Sequence, residues 1–140
     1  LVSDFIIRPA VDSHRSFILA TWLRSYQANS VHAKKINKSL FFERHHDVAE
    51  AILARPTTDT RVAVWSEDED VVLGYAVTEP AKRTVHFVYV KPAFRRSGLA
   101  SALLTDLEKP LIYSHATFGL RDLSRQLDGW VYDPYAAFVD

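Results

Sequence analysis

Apolar positions divide the chain into elements before any chemistry is considered. Phe5-Ile6-Ile7-Arg8 is a short apolar run closed by Pro9, which cannot donate to a ladder, and it predicts a first strand. Asp12 and Ser13 offer N-cap oxygens to a first helix whose Leu19, Trp22, Leu23 and Tyr26 recur as one stripe. Ser39 is the expected cap of a second helix. There Phe41, Val48 and Ile52 share a face, Phe42, Ala49 and Leu53 the adjoining one, and Pro56 enforces a stop near Arg55. Three strand-like stretches follow, Arg61 to Trp65, Val71 to Thr78 and Thr84 to Lys91. The acidic turn Glu67 to Asp70 and the segment Glu79 to Arg83 between them are short enough for hairpins, which predicts an antiparallel meander.

After Pro92 the pattern becomes a third helix carrying Leu99, Ala102, Leu103 and Leu107, ended by Pro110 before a strand over Leu111 to Ser114. A strand-helix-strand crossover makes that strand parallel to the one over Thr84 to Lys91. A short helix with Leu120, Leu123 and Leu127 leads to Gly129, and the tail from Trp130 to Val139 is aromatic and strand-like around Asp133-Pro134. This order predicts a mixed α/β fold rather than a doubly wound one. With 140 residues, 48% of them apolar, and no repeat, linker or low-complexity stretch, residues 1–140 read as a single domain with one continuous core.

Charge and composition narrow the functions. Lys plus Arg and Asp plus Glu stand at 17 each, so no net field draws the molecule toward nucleic acid or an anionic membrane, and any anion site is local. The absence of cysteine removes disulfides, thiolate metal sites and cysteine nucleophiles, and is compatible with a cytoplasmic setting. Apolar runs such as Val85 to Val90 are too short to span a bilayer, so a soluble protein is expected. The chain opens at Leu1 and contains no methionine, from which residues preceding Leu1 are expected.

The segment richest in chemistry is Val88-Tyr89-Val90-Lys91-Pro92-Ala93-Phe94-Arg95-Arg96-Ser97-Gly98-Leu99-Ala100-Ser101, which joins a strand to a helix through a loop with two arginines and a glycine. A helix start presents unpaired N–H groups and partial positive charge, and small residues at Gly98 and Ala100 let an anion approach them. Arg95 and Arg96 could each reach a phosphate. Spacing alone leaves two readings open, an anion site and an ordinary connection with solvated arginines, because this is neither a P-loop nor a dinucleotide fingerprint.

The run Val90-x-Pro92-x-x-Arg95-Arg96-x-Gly98-x-Ala100 resembles motif A of the Gcn5-related N-acetyltransferases, whose core is Gln/Arg-x-x-Gly-x-Gly/Ala after a strand. The element order over nearly the whole chain is similar to that fold. It implies a three-layer arrangement: a mostly antiparallel sheet with one splayed parallel pair, and helices on both faces. It also implies acetyl-CoA as co-substrate. Backbone amides of Arg95, Arg96, Ser97, Gly98, Leu99, Ala100 and Ser101 would hold its pyrophosphate, and the backbones of Val88 and Val90 the pantetheine and acetyl group. In the family the two parallel strands part to admit that arm, here Val85 to Val90 against Leu111 to Ser114.

Acetyl transfer to an amine needs a base for the amine proton and benefits from an acid at the leaving thiolate. His86, one strand period before Val88, has an imidazole suited to the first task and resembles a histidine of the arylalkylamine acetyltransferases; the competing reading is a satisfied core histidine. Many family members place Asn-x-x-Ala-x-x-Tyr in the helix after the fifth strand. Alignment on Gly129-Trp130 puts Phe118 near that asparagine and Arg125 or Gln126 near the tyrosine, so the usual acid is missing and Tyr113, Tyr132 or Tyr135 would have to replace it. Tyr113 is the nominal candidate.

Other features carry less. His45-His46 with Glu43, Asp47 and Glu50 invites a metal reading, but adjacent histidines on a helix point apart, so no metal is expected; the resemblance sets these residues beside the acceptor entrance. The aromatic tail Trp130, Tyr132, Tyr135 and Phe138 reads equally as the closing strand pair, an acceptor-site wall or a contact for a protein partner or second copy. The leading expectation is an acetyl-CoA-dependent N-acetyltransferase acting on a primary amine by direct attack. The alternatives are a catalytically silent module of the same fold in a larger assembly and, third, nucleic-acid binding through Lys82, Arg83, Arg95 and Arg96, which balanced charge disfavours.

Overall fold

The computed structural model describes residues 4–108, 111–117, 119–120 and 129–138. The elements run β1 (Phe5–Pro9), α1 (Arg15–Asn29), α2 (Val31–Lys34), α3 (Lys38–Ala54), β2 (Asp59–Trp65), β3 (Asp68–Glu79), β4 (Thr84–Val90), α4 (Leu99–Leu103), β5 (Ile112–Tyr113) and β6 (Val131–Tyr132). One six-stranded sheet takes them in chain order, β1 to β6. β2, β3 and β4 form the expected antiparallel meander, β1 pairs antiparallel with β2, and β4, β5 and β6 are mutually parallel.

Helices cover both faces of the sheet. Trp22, Phe41 and Ile52 of α1 and α3 pack with Val62, Val64, Tyr75 and Phe87 on one face, while Leu99 and Leu103 of α4 pack with Ala63, Ala76 and Val85 on the other. Because both faces are buried, the central strands read as nearly continuous apolar runs, such as Val71 to Val77, rather than as apolar-polar alternation. Gly74 on β3 is required by close approach: a Cβ there would lie 2.6 Å from the carbonyl oxygen of Tyr89 on β4.

Several boundaries differ from expectation for local reasons. The cap of α3 is Asn37, whose side chain accepts from the Leu40 N–H at 3.1 Å, instead of Ser39. Asp12 and Ser13 lie in a 3₁₀ turn with His14, whose ring Nδ1 accepts from the Val11 N–H at 3.1 Å, and α1 starts after His14 with no side-chain cap among the described residues. The acidic residues Asp68 to Asp70 extend β3, leaving Ser66 and Glu67 as the turn. The regular part of α4 stops at Leu103, short of Leu107. Of the expected short helix, Leu120 is buried, and Leu123 and Leu127 lie outside the described residues.

The tail is strand only at β6, after which Pro134–Ala137 forms a 3₁₀ turn. It is held by a side chain: the Arg55 guanidinium donates to the carbonyls of Ala136 at 3.1 Å and Ala137 at 2.9 Å, and Ala137 enters the α1-side core.

Candidate functional site

The site begins with a parting of two strands. β4 and β5 pair only at Thr84 with Ile112 and Val85 with Tyr113, and the last ladder bond runs from the Ser114 N–H to the Val85 carbonyl at 3.2 Å. Past that point β4 continues to Val90 while the segment after β5 runs on to Thr117. A hollow of about 190 Å³ opens between them, walled by Ser25 and Asn29 of α1, by Val88 and Val90, by Arg95 and by Thr117. A second hollow of about 150 Å³ shares Asn29 and Thr117 and adds His32, Tyr113, Ala116 and Tyr132.

At the mouth of the first hollow the loop after β4 is tightly shaped. The Arg95 Nε donates to the Val90 carbonyl at 2.9 Å, which folds that side chain against the strand end, and the Ser97 hydroxyl donates to the Phe94 carbonyl. Arg96 and Gly98 both adopt left-handed backbone, with φ of 62° and 87°. Such turns are the kind that gather backbone N–H groups into anion-binding concavities. The space above Gly98 is open, since a Cβ there would meet nothing within 4 Å, whereas Leu99 is 1% exposed and anchors the start of α4 in the core. Leu99 therefore offers only its backbone to the loop. Val88, Val90 and Arg95 share the hollow, and Arg96, Ser97, Gly98, Ala100 and Ser101 continue from its rim.

His86 is placed differently from expectation. Val77 pairs with Phe87 and Thr78 with Val85, so His86 is an extra residue, a β-bulge in β4. The bulge reverses the alternation: Val85 and Val88 pack on the α4 side, Phe87 on the α1 side. The His86 ring lies 6.4 Å from that of His115, which itself packs on Trp22 and Tyr26 of α1. His86 thus points away from the Val88 face, is 0% exposed, and has both nitrogens engaged. Direct contact with an acceptor is closed to it.

Around His86 lies a polar chain that the pattern of apolar residues gave no means of assembling. Its Nε2 is 2.7 Å from Glu79 Oε1 and its Nδ1 is 2.6 Å from the Ser114 hydroxyl. Ser114 is 2.8 Å from His115 Nδ1, and His115 Nε2 is 2.8 Å from His45 Nε2 on α3. Glu79, 1% exposed, also receives Arg55 at 2.7 Å, Thr57 at 2.6 Å and Lys82 at 3.2 Å. Burial would raise the Glu79 carboxyl, but the hydrogen bonds from Thr57, His86, Arg55 and Lys82 outweigh it and hold the group down to about 2. Burial pushes His45 down to about 4. His86 is also lowered by burial, against the pull of Glu79, and His115 is lowered by burial and by the two neighbouring histidines. The resting chain therefore holds three neutral imidazoles and one carboxylate.

Tyr113 lines the second hollow, with its ring 5.3 Å from that of Tyr132. Tyr135 and Phe138 are 74% and 67% exposed and stand away from both hollows. Phe118, Arg125 and Gln126, the positions bearing on the missing helix tyrosine, lie outside the described residues. His46 Nδ1 sits 3.4 Å from Glu50 on the outer surface of α3. The four cations weighed for nucleic-acid binding do not form one patch: Lys82 and Arg83 precede β4 and pair with Glu79 and Glu108, while Arg95 and Arg96 follow it, about 20 Å further along the strand direction.

The sequence model of the Acetyltransferase (GNAT) family matches residues 20–112. No curated protein matches the chain. Among solved structures, an acetyl transferase described as putative from Pyrococcus furiosus is similar at 16% identity and a TM-score of 0.55, over 96% of this chain and 88% of that one. A GCN5-related N-acetyltransferase from Kribbella flavida is similar at 24% identity and a TM-score of 0.51, over 74% of this chain and 62% of that one. Apo-form YjaB from Escherichia coli is similar at 19% identity and a TM-score of 0.51, over 72% of this chain. The chain spans 62% of the length of each of these last two. The family match covers most of α1, the helices α2 to α4, the strands β2 to β4 and the loop that shapes the first hollow, and the chain belongs to the GNAT acetyltransferase family.

Proposed function

We propose that this chain transfers acetyl from acetyl-CoA to a primary amine by direct attack. The observation that carries the reading is the parting of β4 from β5. It leaves the outer edge of Val88 to Val90 facing a hollow whose mouth is Arg95 and the left-handed turn at Arg96 to Gly98. An extended amide-bearing arm laid in that hollow meets free strand-edge groups, as an added strand would. A pyrophosphate at the mouth meets the N–H groups of the loop and the first turn of α4, with Arg95 and Arg96 adding charge. The residues present fit the co-substrate: the open space above Gly98 admits phosphate oxygens, and its φ of +87° sets the turn that exposes the amides.

Acetyl-CoA supplies an activated acyl group. The rest falls to the chain's own residues: on this reading acceptor and thioester meet near Asn29 and Thr117, which are common to both hollows, and Tyr113, which lines the second hollow, gives a proton to the departing thiolate. Calorimetric titration with acetyl-CoA tests the reading. The intact protein binds, and Arg95→Ala weakens binding about tenfold through the loss of one charged contact. No heat at millimolar ligand would sink the reading.

One observation favours the rival, a silent module that keeps the fold: His86 is enclosed and reaches neither hollow. Release of free CoA over a panel of primary amines decides between them. Turnover that disappears on altering the Arg95 to Ser101 loop excludes the silent module.

A further inference from the structure

Charge around the second hollow is one-sided. From Ser13 to Phe42, the stretch that forms α1, α2 and the start of α3, there is no Asp or Glu, while Arg15, Arg24, Lys34, Lys35 and Lys38 are present. Asn29, Val31 and His32 of this stretch wall the hollow. Lys35 follows Val31 and His32 by one turn, which sets it on their face of α2. Lys34, Lys35 and Lys38 are exposed and form no ion pair among the described residues. Asp133 adjoins Tyr132 but lines a separate hollow with Glu79 and Lys82, and its Oδ1 accepts from the Tyr135 N–H at 3.1 Å. Among the described residues, no carboxylate lines the first or the second hollow.

The walls of the second hollow are largely rings. The Tyr132 ring lies 6.0 Å from that of His32, at 19° between planes, and 5.3 Å from that of Tyr113, at 30°. Burial, with Tyr26 and Tyr113 alongside, raises the Tyr132 phenol, so that ring adds no negative charge. Tyr113 and Tyr132 are half-buried and line an open space, which a flat guest would cover, removing apolar surface from water and adding ring-to-ring packing. The hollow of about 150 Å³ is large enough for one benzene ring.

We propose that the second hollow is an acceptor site for primary amines borne on an aromatic ring, with no positive charge besides the reacting nitrogen. The proposal rests on the acetyl-transfer reading and names its acceptor class. The ring packs on Tyr132, and the amine reaches Asn29 and Thr117, where the two hollows meet. Further ammonium groups, as on polyamines or lysine-rich peptides, find lysines at the border and no carboxylate to pair with. The amine reacts as the free base, its ammonium proton left in solvent, and a positive border favours that form. The nitrogen lone pair forms the N–C bond as the C–S bond breaks, and the surplus proton on nitrogen passes to the sulfur, giving the acetamide and CoA thiol.

The test assays the full chain with acetyl-CoA on 2-phenylethylamine, n-butylamine and spermidine. Burial of the ring is expected to make kcat/KM about 30-fold higher for 2-phenylethylamine than for n-butylamine, with spermidine the poorest of the three. Equal values for the first two, or spermidine ahead of either, overturn the proposal. Tyr132→Leu, which keeps an apolar side chain but removes the ring, should narrow the advantage of 2-phenylethylamine about tenfold; an undiminished advantage also overturns it. Lys35→Glu, at an exposed position, should raise kcat/KM for spermidine about threefold, and an unchanged value overturns the exclusion of polycations. Independently of turnover, calorimetric titration of the protein, alone and saturated with CoA, should show 2-phenylethylamine binding more tightly than n-butylamine. If that preference is present but no amine is acetylated, the acetyl-transfer reading has failed while the ring site stands. If amines are acetylated with no preference for a ring, the acceptor class is wrong while acetyl transfer stands.

Discussion

The two halves of β4 differ in what their edges do. At Thr84 and Val85 the strand is paired on both sides, and Thr84 to His86 are at most 2% exposed. From Val88 to Val90 it is paired on one side only, and the same residues are half-buried along a hollow. In the closed half the Thr84 hydroxyl and both ring nitrogens of the bulged His86 have protein partners, the ring being held between Glu79 and Ser114. In the open half, backbone groups that a buried strand would normally pair are left for something that is not part of the sheet. The bulge sits at the border, so one extra residue both ends the closed half and turns its histidine away from the cleft.

The strongest way to break this comparison is at the closed end. Glu79→Ala strips the shared acceptor from Arg55, Thr57, Lys82 and His86, and should cost about 3–5 kcal/mol in chemical denaturation, the range for breaking a buried ion pair. A cost below about 1 kcal/mol would mean that the four partners find other acceptors. Next in size is Gly74→Ala behind the open half. The 2.6 Å approach to the Tyr89 carbonyl should destabilise by about 1–3 kcal/mol, with β4 displaced toward the hollow and acetyl-CoA binding weakened in the same titration. An unchanged melting temperature and affinity would show that β4 is looser than its pairing implies.

A smaller effect is expected at the rim. Gly98→Ala forces a side chain into φ of +87°, a cost of about 1–2 kcal/mol, and should lower acetyl-CoA affinity more than global stability, because the loop lies outside the core. The smallest is a pH effect that sharpens the closed half's character. His45 binds a proton less readily folded than unfolded, so its contribution is fully present above pH 6.5 and is lost as pH falls toward about 4. Glu79, held down to about 2, loses its contribution only below the ordinary carboxylate range. Denaturation midpoints measured across pH 4–7 should therefore slope downward on acidification, and His45→Phe should flatten the slope; an equal slope in the variant would place the titration elsewhere.

Much of the architecture was legible because it depends on local pattern. The apolar stripe of α1, Pro56 after α3 and the meander from Arg61 to Lys91 all rest on periodicity and breakers, and motif A rests on contiguous residues. Where reading from sequence fell short, the cause is contact between segments distant in the chain. His86 was assigned to the Val88 face by strict alternation, which one bulge reverses. Glu79 looked like a turn residue and Ser114 like a strand end, and His115 was not singled out, because nothing local ties residues 45, 79, 86 and 114 together. Asn37 caps α3 in place of Ser39 because the helix starts at Lys38, ahead of its buried apolar face, which begins at Phe41.

The grip of Arg55 on the carbonyls of Ala136 and Ala137 has a practical consequence for handling the protein. A clone cut back to the end of β6 would keep every residue of the sheet yet remove two acceptors from a guanidinium whose side chain is 5% exposed. The smallest well-behaved fragment should therefore extend past Ala137, and an affinity tag joined directly at Asp133 should reduce yield where the same tag after Asp140 does not.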